Sequence, residues 1–382
     1  MRYLVYGAGA VGGFVGGCLA LTGNPVAFLG RQDTRRALTA HGLRLTGDRT
    51  SGLLPEPHSV DRFDALLDLP SPDIILLTIK AYDLPTAAED LARFTSPLPP
   101  VVCMLNGIGA EAYLGERLGH QNIIPASVTT AVQVDEPGTI RVERRRGLGL
   151  GTGHPLSRSI FVEMRAAGLQ PRLYSSPDRM KWSKLLTNLV ANATSAILGW
   201  SPAAVYRNAA LARLELDSLR EAFRVMRGLG VAPLNLPGVP VALFELLLAL
   251  PDALIRPALG RFVASGRGAK PPSLQFDIGR RRSEIGWLNG AVVAWGARLS
   301  IPTPANNVLT EVMSELVMGE VDPSAYRARP EALLARAAGA PSPGVRYNPA
   351  STVRRDGPPA RSSQISTTAL ETREEKPRSR RM

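Results

Sequence analysis

The stretch Arg2-Tyr-Leu-Val-Tyr-Gly7-Ala-Gly9-Ala10-Val11-Gly12-Gly13-Phe14-Val-Gly-Gly-Cys-Leu-Ala-Leu21 decides how the chain begins to fold. Its first five residues are mostly apolar and read as a buried strand, and Phe14 onward reads as a helix. Between them lies Gly7-x-Gly9-x-x-Gly12. Strand, glycine loop and helix in that order turn a weak pattern into a dinucleotide-binding fingerprint. Gly7 permits the tight turn, Gly9 lets backbone approach a pyrophosphate, and Gly12 lets the helix pack closely on the strand. Ala10 and Val11 belong to this cofactor-binding loop, and the N–H groups at the N-terminus of the helix that follows would face the phosphates. An ordinary strand-to-helix turn is the competing reading.

Working outward, each later apolar run ends in a polar residue that a ligand in the crevice would meet. Pro25-Val-Ala-Phe-Leu29 stops at Gly30-Arg31. An acid there would suit a free ribose 2′-hydroxyl, whereas arginine suits a 2′-phosphate, so Arg31 points to NADPH over NADH. Asp33 lies close by, and a solvated Arg31 is the alternative. Asp73-Ile-Ile-Leu-Leu-Thr-Ile-Lys80 and Pro100-Val-Val-Cys-Met-Leu-Asn106 read as buried parallel strands that deliver Lys80 and Asn106 to the crevice. Either residue would also serve a plain turn. A short helix is expected over 61–67. Antiparallel strands are expected over 123–133 and 138–143, a helix over 157–168, and a last strand or linker at 173–176. This is an α/β Rossmann-type domain over 1–176.

Helical periodicity then dominates, which predicts an all-α domain over 177–338. Residues 180–199 read as one helix, and steps of four residues advance each side chain only about 40° beyond a full turn. Lys184, Asn188 and Asn192 then share a face, flanked by Leu185, Leu186, Leu189, Val190 and Ala191. Buried ammonium and amide groups are costly unless satisfied. They belong either to a site, where a desolvated lysine donates a proton near neutral pH, or to a polar seam that ties down a loop. Further helices are expected over 205–228, 241–263, 273–299 and 305–317, with loops at 234–240 and 265–272. Ser273 is positioned to cap its helix. Glu284 falls inside that helix, between a basic triplet and Ile285, Trp287 and Leu288. There it is either a site residue or the ion-pair partner of Arg280 or Arg281.

Composition removes several function classes. The chain has 382 residues, 45% of them hydrophobic, and can bury two cores. Of its net charge of +12, the segment from Pro341 carries nine Lys or Arg against four Asp or Glu. That Pro-, Ser- and Arg-rich tail, 339–382, is expected to be disordered. Aromatic residues are only 5% and form no basic stripe, which argues against a nucleic-acid partner. The apolar run 241–250 is broken by Glu245 and ended by Pro251-Asp252, too short for a membrane span. No secretory signal precedes the first strand, so a cytoplasmic protein is expected. Cys18 and Cys103 read as core residues, and neither they nor the four histidines have metal-ligand spacing. No Gly-x-Ser-x-Gly elbow is present.

In order and spacing these motifs resemble ketopantoate reductase (2-dehydropantoate 2-reductase). The likeness runs from Arg2 to about Glu320 through Gly7-x-Gly9-x-x-Gly12, Gly30-Arg31, Ile79-Lys80-Ala81, Asn106-Gly107-Ile-Gly109, Lys181-Trp-x-Lys184-Leu-x-x-Asn188-x-x-x-Asn192 and Ser283-Glu284-Ile-x-x-Leu-Asn289-Gly290. The resemblance implies a Rossmann-type domain, a helical domain and an active site in the cleft between them. It would make Lys184 the general acid and give Glu284 the substrate hydroxyl. Asn188 and Asn192 would orient Lys184 and the substrate, and Ser273 would meet the substrate carboxylate. Arg31 and Lys80 would hold the NADPH 2′-phosphate, with Asn106 near the nicotinamide. Two departures stand out. The spacing from Asp277 to Glu284 is one residue short of the family's, and 234–270 is longer and more apolar than ketopantoate alone requires. A bulkier 2-oxo acid or ketone is therefore the second reading, and a non-catalytic NADPH-binding sensor the third. The expected partner is a small 2-oxo acid, and a homodimer is left open.

Overall fold

The structure is a computed structural model that describes residues 1–67, 69–94, 97–248, 250–252, 254–255, 260 and 272–339. The expected disordered tail beyond Gly339, and the part of the 234–270 segment within 261–270, lie outside the described residues.

An eight-stranded sheet organises the first half. Its strands are β1 (Tyr3–Tyr6), β2 (Val26–Leu29), β5 (His58–Val60), β6 (Ile74–Leu77), β7 (Val101–Cys103), β8 (Ile123–Val128), β11 (Leu148–Gly151) and β12 (Pro171–Tyr174). Their order is β12-β11-β8-β7-β6-β1-β2-β5. All neighbours run parallel except β11 against β8. The central strands are buried on both faces, which is why their sequences are continuous apolar runs rather than alternating ones. One face is covered by α1 (Ala10–Leu21) and α6 (Ser157–Ala166), through Phe14, Val15, Leu19, Ile160 and Met164. The other is covered by α4 (Leu84–Leu91) and α5 (Ala110–Leu118), through Leu84, Leu91 and Leu114. Helices on both faces of a parallel sheet are the doubly wound arrangement in which ligands bind beyond the strands' C-terminal ends.

The span 123–133, expected as one antiparallel strand, is two. Residues 123–128 form β8, parallel to β7. At Thr129 and Thr130 the backbone N–H groups both turn to the carbonyl of Gly147, at 3.0 and 3.1 Å. The chain then starts β9 (Ala131–Glu136), which pairs antiparallel with β10 (Thr139–Arg144). With β3 (Leu43–Thr46) and β4 (Gly52–Leu54) these form a separate four-stranded sheet packed on α1.

From Pro177 the chain is helical and has its own core. Its spine is α10 (Ala209–Gly228), about 30 Å long at 1.5 Å per residue. Asn208 caps it by accepting the N–H groups of Ala210 and Leu211, which separates it from α9 (Pro202–Arg207) where a single helix 205–228 was expected. Two carboxylates of α10, Glu215 and Glu221, are buried to 1% exposure and act at other helices' first turns. Glu221 accepts the N–H groups of Ala305 and Asn306 at 2.8 and 2.9 Å, capping the helix Pro304–Met318. A negative charge is favourable at a helix N-terminus.

Candidate active site

Beyond the C-terminal ends of β1, β2 and β6 lies a cavity of about 560 Å³, lined among others by Gly7, Gly9, Arg31, Thr34, Lys80 and Arg282. A Cβ on Gly12 would fall 2.2 Å from the Gly7 carbonyl oxygen, so the α1–β1 approach excludes any side chain there. A Cβ on Gly9 would meet nothing within 4 Å. Gly9 therefore keeps the backbone bare toward the cavity, where a pyrophosphate would reach the N–H groups of Ala10 and Val11 at the start of α1. Arg31 is exposed at the cavity's rim, and among the described residues no ion pair or side-chain hydrogen bond occupies it. These residues fit a dinucleotide cofactor.

Lys80 lines the same cavity, but its ammonium reaches across the cleft. Nζ lies 2.5 Å from Oε2 of Glu284. Glu284 is buried, and Oε1 also accepts the Ala81 N–H at 3.3 Å. Burial works against the Lys80 charge, but the charge and hydrogen bond of Glu284 outweigh it, so Lys80 titrates above the ordinary lysine value. Asp277 lies in the same cluster. Burial pushes its carboxyl upward, against the opposing pull of Lys80 and the Ser283 hydroxyl, which donates to it at 3.0 Å.

The expected helix over 273–299 is broken, and Glu284 is not inside a helix. Ser273–Asp277 is a 3₁₀ turn, Arg281 takes a left-handed φ of 58°, Ile285–Trp287 is a second 3₁₀ turn, and α-helix resumes only at Asn289–Arg298. Asp277 folds back to accept the Glu284 N–H at 3.3 Å, a contact that a continuous helix would not make. The partner of Glu284 is accordingly Lys80 rather than Arg280 or Arg281. Trp287 anchors the turn in the sheet domain's core. Its carbonyl accepts the Ile108 N–H at 3.1 Å, and the motif's Gly107, at φ +86°, is where that carbonyl crosses.

The lysine-bearing helix is α7 (Pro177–Leu189). Lys184 is half-buried on it, and one turn on the Asn188 amide donates to Oδ1 of Asn106 at 3.2 Å. The helix does not continue to Gly199. It ends at Leu189, Ala191 takes a φ of 46°, and α8 (Ala193–Leu198) begins afresh. Asn192 is therefore not on the Lys184–Asn188 face of one helix. It sits at the start of α8, its amide 3.5 Å from the Ser273 hydroxyl. Among the described residues Ser273 correspondingly caps no helix. It is the first residue of its 3₁₀ turn, with Pro272 at the cap position.

Three residues escaped sequence reasoning. Arg282 comes from the helical half yet lines the cofactor cavity, where its guanidinium donates to Asp83 at 2.9 Å. The basic triplet beside Glu284 was its only signal. Lys181 is buried and committed to structure, donating to the Leu105 carbonyl at 2.6 Å and pairing with Glu111 at 2.7 Å. Its interest lies in what it leaves: Lys184 is the helix's lysine that is not sealed in the core. Trp287 was read only as part of an apolar face.

A glycine loop opening on a cofactor-sized cavity, beside a cleft where lysine, glutamate and amides converge, defines a nicotinamide-dinucleotide oxidoreductase. Residues 3–154 match the family model described as Ketopantoate reductase PanE/ApbA, and residues 178–317 match the model of its C-terminal domain. The chain belongs to the ketopantoate reductase family, NADPH-dependent oxidoreductases that act on CH–OH groups. It is similar to the 2-dehydropantoate 2-reductase of Pyrococcus horikoshii, 28% identical over 320 residues, spanning 81% of this chain and 95% of that protein. The Mesorhizobium japonicum protein of the same name is 27% identical over 344 residues, 83% of this chain and 98% of that one. Among solved structures, a PanE/ApbA family ketopantoate reductase from Ralstonia eutropha superposes with a TM-score of 0.70 at 27% identity, covering 83% of this chain and 98% of the other. A D-mandelate dehydrogenase solved with NADH shares the fold, with a TM-score of 0.65 at 19% identity over 82% of this chain and 97% of that one.

Proposed function

We propose that the chain reduces 2-dehydropantoate to pantoate with NADPH in the cytoplasm. The division of labour is a cofactor domain over 1–176 and a substrate domain over 177–338. When bound, NADPH supplies the hydride that reduces the carbonyl carbon. Lys184 donates the proton that the carbonyl oxygen requires as the C–H bond forms. Asn188, held by Asn106, fixes the side of the cleft from which Lys184 reaches. Glu284 accepts the substrate hydroxyl while remaining on Lys80, since a carboxylate has about four acceptor positions. Asn192 and Ser273 receive the substrate carboxylate. Arg31 and Arg282 hold the cofactor's 2′-phosphate side, with Lys80 between the two sites.

One observation carries this reading. Six of the residues singled out from sequence contact one another in pairs: Asn188 with Asn106, Asn192 with Ser273, and Glu284 with Lys80. None of these partnerships is local, the separations being 82, 81 and 204 residues. Convergence from so far apart is expected of a site and not of scattered turn residues. NADPH oxidation against a panel of 2-oxo acids tests it. Ketopantoate should give the highest kcat/KM. A bulkier acid turning over fastest would keep the chemistry and replace the substrate, whereas NADPH binding with no turnover on any member would favour the sensor reading.

A further inference from the structure

We infer that Glu215, which lies outside the cleft, is the residue that places Asn192 in the substrate site. The inference rests on the reading of Asn192 and Ser273 as substrate contacts. Between α7 and α8 the chain must change direction at Ala191, whose φ of 46° is a left-handed conformation that alanine adopts only under constraint. Ordinarily glycine or asparagine serves such a position. Here the constraint comes from α10. One oxygen of the Glu215 carboxylate, Oε2, accepts the Ala191 N–H at 2.6 Å, and the other, Oε1, accepts the Thr194 hydroxyl. The carboxylate thus grips the chain on both sides of Asn192.

Were the helix unbroken, Asn192 would continue the Asn188 row, which meets Asn106. The break turns it to Ser273 instead, at 3.5 Å. Glu215 is 1% exposed and does not line the cofactor cavity, so it acts through Asn192 as a positioning residue.

The test is steady-state kinetics of the full chain with NADPH and its best 2-oxo acid, alongside NADPH binding. Glu215→Leu, which cannot hold the Ala191 N–H, should raise the KM for the 2-oxo acid tenfold or more and leave the Kd for NADPH within twofold. Glu215→Gln keeps an acceptor for Ala191 and a donor for Thr194, and should stay within threefold of the parent KM. Adding Ala191→Gly to Glu215→Leu should recover most of the loss, because glycine takes the left-handed turn without help. A purely structural glutamate would not be rescued that way. If Glu215→Leu does not fold, Thr194→Val removes one of the two contacts and should raise the same KM by a smaller factor. Parent-like KM in Glu215→Leu or, failing that, in Thr194→Val overturns the inference. So does a parallel loss of NADPH affinity that Ala191→Gly leaves uncorrected. A parent that reduces no 2-oxo acid fails the site reading itself, and the inference with it.

Discussion

Lys80 and Glu284, 204 residues apart, close the cleft with a 2.5 Å contact between ammonium and carboxylate. The Lys80 value is raised in the fold, so the stabilisation it brings is fully present below the ordinary lysine pKa of about 10.4 and is lost as pH rises through the raised value. Lys80→Met should therefore melt below the parent at pH 8, and the gap should narrow above about pH 10.4, where the unfolded chain loses this proton, until the folded parent loses it too. An equal gap at pH 8 and pH 11 would show that the pair contributes nothing through its charge.

Arg31 is expected to set cofactor preference. It lines the cavity at the end of β2, and a charge-assisted contact to phosphate is worth about 1.5–3 kcal/mol. Arg31→Ala should weaken NADPH binding by roughly tenfold or more and leave NADH almost unaffected. Isothermal titration with both cofactors reads the difference, and a parent that binds them equally would contradict the assignment.

Gly107 is a close approach between the two halves of the chain. An added Cβ would sit 2.4 Å from the Trp287 carbonyl oxygen at a residue whose φ is +86°. Gly107→Ala must move backbone or break the Ile108–Trp287 hydrogen bond, at a cost on the order of 2 kcal/mol or more. Urea unfolding should show it as a lowered midpoint, and kcat should fall as Glu284 shifts with its turn. An unchanged midpoint would mean that the crossing is loose.

Glu221 satisfies three donors in the helical core, the N–H groups of Ala305 and Asn306 and the Asn306 amide at 2.7 Å. Leaving buried donors unsatisfied costs about 1–3 kcal/mol each, so Glu221→Ala should lose on the order of 3 kcal/mol or more in urea unfolding. A loss under about 1 kcal/mol would indicate that water replaces the carboxylate.

The parts legible in the sequence were those with local causes. Strand, glycine loop and helix follow one another within the first 21 residues, and Lys80 and Asn106 announce themselves by ending apolar runs. The break at Ala191 was not legible, because its cause is Glu215, 24 residues away, and no glycine or asparagine marks the turn. Periodicity over 273–299 suggested one helix, since the spacing of Ile285, Leu288 and Val292 suits helical burial. What stops it is Asp277 closing on Ser283 and Glu284, with Arg281 in a left-handed conformation. Arg282 reached the cofactor cavity only once that turn had carried it there.

The most direct measurement is the turnover of Lys184→Ala with NADPH and the preferred 2-oxo acid. Reducing a ketone requires a proton at the carbonyl oxygen, and removing a positioned acid costs a factor on the order of 10² or more in kcat. NADPH affinity should stay within twofold, since the cavity's contacts come from Gly9, Arg31 and their neighbours. Lys184→Arg should not restore the rate, because guanidinium holds its proton at neutral pH. Turnover in Lys184→Ala within a few-fold of the parent would contradict the account and place the proton donor elsewhere in the cleft.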